Sequence, residues 1–463
     1  MTKKFFVIIT ALLLVGITFA DETGISQKEL KALTGSVKLE GKNRMLFNAV
    51  TNNSIRDLAV DREVMNHYNT LVNYKLEVDG ITDQKSTGRC WLFAALNIMR
   101  PGVKEKFNLK SFEFSQNYLF FYDKLEKANM FLDAMIELRN EDLQDRNVQE
   151  LIGDPIPDGG WWNYAVALIE KYGAVPKSIM PETNNSEASR QMNSLIGKML
   201  KHDAMELRNM AAEGASVKQL QAKKETMMKH IYRILVLTLG KPVDEFDWRY
   251  EDKDGKILTK QFTPKTFYKE AVDLDLSDYV TVLEHPVYDF NDHYTIEYCR
   301  NMSNMSDMNF VNIPAKDFKA WTKKAMVDGL PIWFAATAGQ GMNRTNGIMD
   351  PDLYDYETLF DIDITFTKHE SIRYGWGIPN HAMVLVGMDT TDTGETQKWL
   401  VENSWGTDSG DKGYYTMSDD WFDRYVFNVI LPKKYLPKDI QKLLDKKPQQ
   451  IPSWDPMREA FLK

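Results

Sequence analysis

The chain has 463 residues, 66 acidic against 57 basic, and a formal net charge of −9. Hydrophobic residues make up 43% and charged residues 27%, a globular composition that excludes wholesale disorder. The acidic balance argues against a nucleic-acid binder, which needs a basic face, and the length suits two or three structural units.

Lys3 and Lys4 precede an uncharged apolar run that ends Thr18-Phe19-Ala20, before Asp21. A charged start, an apolar middle and small residues at the −3 and −1 positions predict a secretory signal peptide over 1–20 and an exported protein, periplasmic or secreted. The run, 5–20, is 16 residues long, short of the ~20 that span a bilayer, so no stable membrane anchor is expected. Cys90 and Cys299 are the only cysteines, too few for a disulfide scaffold.

Residues 21–73 are polar and mixed, with no sharp period. A turn at Gly88 leads into an apolar, helix-forming run from Cys90, which Pro101-Gly102 is expected to end. Ser115 is placed to cap the next helix, where Tyr118, Tyr122, Leu125, Leu132 and Ile136 recur at helical spacing. Asp158-Gly159-Gly160 reads as a turn, and 161–172 as a short helix closed by Gly173. The charged, Met-rich stretch 184–239 predicts two helices broken near Gly214, with polar faces suited to solvent or a subunit contact. From Pro331 the texture turns to strands, expected at 332–337, 382–388, 399–403 and 414–417. His285 and His293, with Asp289 and Asp292, lack metalloenzyme spacing and read as a surface loop. Neither a metal nor another cofactor is expected. The tail 448–463 contains Pro452 and Pro456 and reads as extended at first.

The chemistry lies in three strings. In Gln84-x5-Cys90-Trp91, the thiol sits in the first turn of a helix, where the positive end of the macrodipole and an adjoining imidazole favour thiolate. The Cys90 backbone N–H and the Gln84 amide are candidate donors to an oxyanion. A nucleophilic cysteine needs a histidine and the histidine needs an orienter. His381 opens a strand, and Asn403 ends a neighbouring one, before Ser404-Trp405-Gly406. Asn403 would orient the ring without adding charge, and Trp405 would cover that bond from water. Each residue alone has an ordinary structural explanation; the ordered set of three strings does not.

These strings resemble the papain superfamily of cysteine peptidases, specifically the bleomycin hydrolase / aminopeptidase C branch. Further matching strings are Phe112-Glu113-Phe114-Ser115-Gln116, Glu170-Lys171-Tyr172-Gly173 and Trp454-Asp455-Pro456-Met457. The resemblance implies an α+β, papain-like, two-lobed fold, with a helical lobe, a β-barrel-like lobe and helical insertions. It implies an N-terminal segment and helical lobe over 21–183 and an oligomerisation insert over 184–239. The remaining insert and β-rich lobe would cover 240–447, and a C-terminal arm in the cleft 448–463. His381 follows Cys90 by 291 residues, against about 130–150 in papain-like enzymes, so a large insert must separate the two halves.

By the same resemblance Cys90 is the nucleophile, His381 the base and then acid, Asn403 the orienter, Gln84 the oxyanion donor and Trp405 a support. Gly159 and Gly160 would dock substrate. The family's arm ends in a carboxylate that meets the substrate's free amine, which makes an aminopeptidase. Here the tail ends on Lys463, placed at substrate or trimmed away by the enzyme itself. Peptides are the expected substrates and a homohexamer the expected assembly. A papain-like endopeptidase with an open cleft and an inactive ring-forming protein remain alternatives.

Overall fold

The computed structural model describes residues 24–272 and 274–460. The predicted signal segment and Lys463 lie outside them. Contacts divide the described residues into two compact units, one of 24–60 and 354–362, the other of the remainder.

In the smaller unit, helices span Gln27–Ser36, Gly41–Asn52, Ile55–Ala59 and Tyr356–Phe360. Ser26 opens the first with a capping box: its hydroxyl accepts from Glu29 N, and the Glu29 carboxylate accepts from Ser26 N. Neither of the first two helices buries a residue. Leu33, Met45 and Phe47 are exposed on them.

The larger unit is α+β. Its helix Cys90–Lys106 is buried over nearly all of its first three turns. Pro101 sits inside this helix and does not end it, contrary to the sequence expectation. Burial of Val103 and Phe107 beyond the proline anchors the last turn, and packing overrides the local propensity. Helix Gln116–Glu137 starts at Ser115, whose hydroxyl accepts from Tyr118 N at 3.0 Å. It packs against helices Arg190–Ala212 and Val217–Leu239, the two predicted around Gly214. Helix Trp162–Tyr172 ends at Gly173, φ 77°, where an added Cβ would lie 2.3 Å from the Pro264 backbone.

Among the described residues, twelve strands form one mixed sheet. Its centre is Ile332–Ala336, His381–Thr390, Thr396–Glu402 and Tyr414–Ser418, each antiparallel to the next. All four match strands expected from the sequence. His381 pairs with Ala336, and Val384 with Glu402. The helix from Cys90 lies against the His381 strand. A buried network ties the two: Arg100 Nη2 bonds Glu402 Oε1 at 2.7 Å, and Asn97 Nδ2 bonds the same oxygen at 2.8 Å. Glu402 directly precedes Asn403, so this network fixes one site residue relative to the helix bearing another.

The arm starts as strand Gln449–Ile451, parallel to Asp292–Ile296. Asp455 then caps the short helix Pro456–Glu459. Its carboxylate accepts from His285 Nε2 (3.0 Å), Tyr288 Oη (2.9 Å) and Met457 N (2.9 Å). His285 and His293 are therefore not on a surface loop: both are buried, and His285 anchors the arm. The pairing joins residues 170 apart, which local spacing could not reveal.

Candidate active site

Cys90 is the first residue of its helix and is 3% exposed. The Ala382 backbone, next to His381, hydrogen-bonds its thiol. The thiol is therefore set against the start of the His381 strand. Burial pushes it up to about 12, against weaker opposition from backbone hydrogen bonds. This differs from the lowered thiol expected at a helix N-terminus: for a thiol buried this deeply, desolvation outweighs the dipole.

His381 is 4% exposed. Its Nε2 lies 2.8 Å from Asn403 Oδ1. An amide oxygen only accepts, so Nε2 carries the proton and Nδ1 of the neutral ring is left basic. Burial lowers the imidazole to about 4; the Asn403 bond works the other way, and the Arg344 charge adds to the lowering. Asn403 Oδ1 also accepts from Ser404 N at 2.7 Å, which aims the carboxamide. Trp405 stacks on His381, with centroids 4.5 Å apart at 25°. Arg344 covers the other ring, 4.2 Å from the Trp405 centroid.

Gln84 is knitted to the same strand end. Its backbone N–H bonds Ser404 O at 2.9 Å, and its Oε1 accepts from Ser404 Oγ at 2.7 Å. Its Nε2 donates to Thr87 O at 2.6 Å, which engages one of two amide hydrogens.

Gly159 lines the groove that Gln84 and Trp405 also line, and Gly160 packs behind it on Trp91 and Tyr164. A Cβ on Gly160 would fall 2.8 Å from both the Trp91 and Tyr164 rings, so glycine is required by close packing. Trp91 Nε1 donates to Asp158 O at 2.9 Å. Two buried lysines hold the loop from beneath. Lys124 Nζ donates to Ile156 O and Pro157 O (2.9 Å each) and pairs with Asp158 at 2.7 Å. Lys127 Nζ donates to Gly159 O at 2.6 Å and pairs with Asp123 at 2.7 Å. The sequence reading missed these lysines and Arg344. Only Lys124 and Lys127 gave a signal, as charges on the apolar face of a helix.

On the far side of Gly160, Tyr164 and Arg458 of the arm line a cavity of about 420 Å³. Met457 and Ala460 are fully buried. The arm thus packs as ordered structure up to Ala460, its last described residue.

The Peptidase C1-like family model matches residues 24–458. Aminopeptidase C of Streptococcus thermophilus is 37% identical over 94% of this chain and 98% of its own length. Human bleomycin hydrolase is 34% identical over 94% and 98%. The crystal structure of PepW from Lactobacillus rhamnosis HN001 superposes with a TM-score of 0.91 at 38% identity, covering 94% of this chain and 99% of that one. With this coverage, and with a papain-like α+β fold, the chain belongs to the Peptidase C1-like family, as a cysteine-type aminopeptidase of the aminopeptidase C and bleomycin hydrolase group.

Proposed function

We propose that the protein removes N-terminal residues from peptides through a thioester on Cys90. Two observations carry this reading: the Cys90 thiol lies against the backbone of Ala382, the neighbour of His381, and His381 Nε2 lies on Asn403 Oδ1 at 2.8 Å. Nδ1 of His381 takes the thiol proton. The step creates a thiolate and an imidazolium together, so neither buried charge stands alone. The sulfur attacks the first peptide carbonyl, and the oxyanion is met by Cys90 N–H and the second Gln84 amide hydrogen. His381 then protonates the departing amine. Water, deprotonated by the same ring, hydrolyses the thioester.

Gly159 and Gly160 offer backbone to the bound residue. The arm selects for a free amine by ending in an anion near the site, with Lys463 either at that end or trimmed away. Packing of the arm through Ala460 favours this over an open endopeptidase cleft. The assembly is a homohexamer; the unburied helices Gln27–Ser36 and Gly41–Asn52 support a subunit contact. The protein is exported by cleavage after Ala20, which an N-terminus at Asp21 in the mature protein would establish. The function is tested with a free-amine peptide and its N-acetyl form. Only the free amine is turned over, and Cys90→Ala abolishes it. Equal turnover of both, or activity left in Cys90→Ala, contradicts the reading.

A further inference from the structure

A groove of about 1130 Å³ opens beside the Cys90 helix. Gln84 and Trp405 lie at its inner end, and the start of helix Arg190–Ala212 makes one wall. No described residue of the arm lines it; Arg458 instead lines the cavity beyond Gly160. With the arm stopping the amine, this groove is the side left for the remaining residues of a peptide.

The groove is charged unevenly. Asp83 is paired with Lys85 at 2.6 Å, and Asp158 with buried Lys124 at 2.7 Å. Four cations, Arg190, Lys198, Lys201 and Arg344, then line the groove with one further carboxylate, Asp154, and Glu187 and Asp408 lie within electrostatic reach of Lys85. Lys201 Nζ also donates to Gly153 O at 3.1 Å. This local positive field occurs on a chain of net charge −9. Arg344 is its innermost member, one ring away from His381 through Trp405. A concave wall focuses such a field on what enters.

We infer that this groove receives the departing segment of the substrate and favours anionic ones. The anion is an acidic side chain just after the scissile bond or the terminal carboxylate of a short peptide. The inference rests on Cys90 being the nucleophile and the arm being the amine stop. It is tested with amidated tetrapeptides that share an N-terminal leucine followed by two glutamates, two glutamines or two lysines. At low salt kcat/KM should be about tenfold higher for the glutamate than for the lysine peptide, and the gap should close as salt screens it. In the double variant Arg344→Gln, Lys198→Gln the ratio should fall to about threefold or less. Because the ratio is internal to each variant, a general loss of folded enzyme does not alter it. A free-acid glutamine peptide, compared with its amide, separates terminal from side-chain carboxylate. Equal rates for all charges, a reversed order, or a ratio unchanged in the double variant would overturn this inference alone. Turnover of none of the peptides would remove the aminopeptidase reading with it.

Discussion

Replacing Asn403 by alanine removes the acceptor that faces His381 Nε2 at 2.8 Å. The bond matters most once the ring has taken the thiol proton, because hydrogen bonds to charged groups are stronger than neutral ones. Such a bond contributes about 1.5–3 kcal/mol, and its loss from the transition state slows the reaction roughly 10- to 150-fold. The effect should fall on kcat and kcat/KM together, with KM little changed. A structural cost accompanies it. Ser404 N also donates to Asn403 Oδ1, and a buried donor left unmet costs about 1–3 kcal/mol. The melting temperature should therefore drop while the protein still folds at 25 °C. Asn403→Asp restores the acceptor and adds a negative charge, so it should recover part of the rate and raise the imidazole pKa. Steady-state kinetics on a free-amine peptide, with circular dichroism as the check on folding, read all of this. A folded Asn403→Ala enzyme within twofold of wild type in kcat/KM would refute the reasoning.

Other outcomes follow from the same geometry. His381 is held down to about 4 from its ordinary 6.5, so the base stays unprotonated until the pH falls well below 6. The acid limb of kcat/KM against pH should have its midpoint below 5.5, and a midpoint at or above 6.5 would contradict the burial argument. Gly160→Ala forces a methyl into the Trp91 and Tyr164 rings. Such overpacking costs about 1–3 kcal/mol, with a raised KM, measurable by thermal unfolding and kinetics. Asp455→Ala strips His285, Tyr288 and Met457 of their shared acceptor. The arm should loosen, and N-acetyl peptides should become substrates; continued rejection of them would separate the arm from amine selection.

The sequence made the candidate site legible because each of its residues sits in a short string whose neighbours are themselves constrained. Cys90 opens a helix, His381 opens a strand and Asn403 closes the adjacent one. The strands were readable from unbroken apolar runs, as in Ile332–Ala336, where every residue is buried. Position along the chain hid the supports. Lys124 and Lys127 meet carbonyls some 30 residues away, and Arg344 reaches a ring 61 positions later. The helices at 27–36 and 41–52 bury nothing and leave Leu33, Met45 and Phe47 exposed among polar residues. The one local signal was the Ser26–Glu29 capping box. Pro101 misled for the opposite reason: a strong local stop was overruled by burial on both sides of it.

The central claim is that Cys90, His381 and Asn403 act as one unit, and differential alkylation tests it most directly. Both thiols are buried and free, and burial pushes each up to about 12. Only Cys90 has an imidazole assigned to take its proton. Reduced protein treated with a limiting amount of iodoacetamide near pH 6.5, then mapped by mass spectrometry, should be labelled at Cys90 at least about a hundredfold faster than at Cys299. In His381→Ala that advantage should vanish. Equal labelling of the two thiols in the folded wild-type enzyme, or an advantage untouched by His381→Ala, would contradict the account.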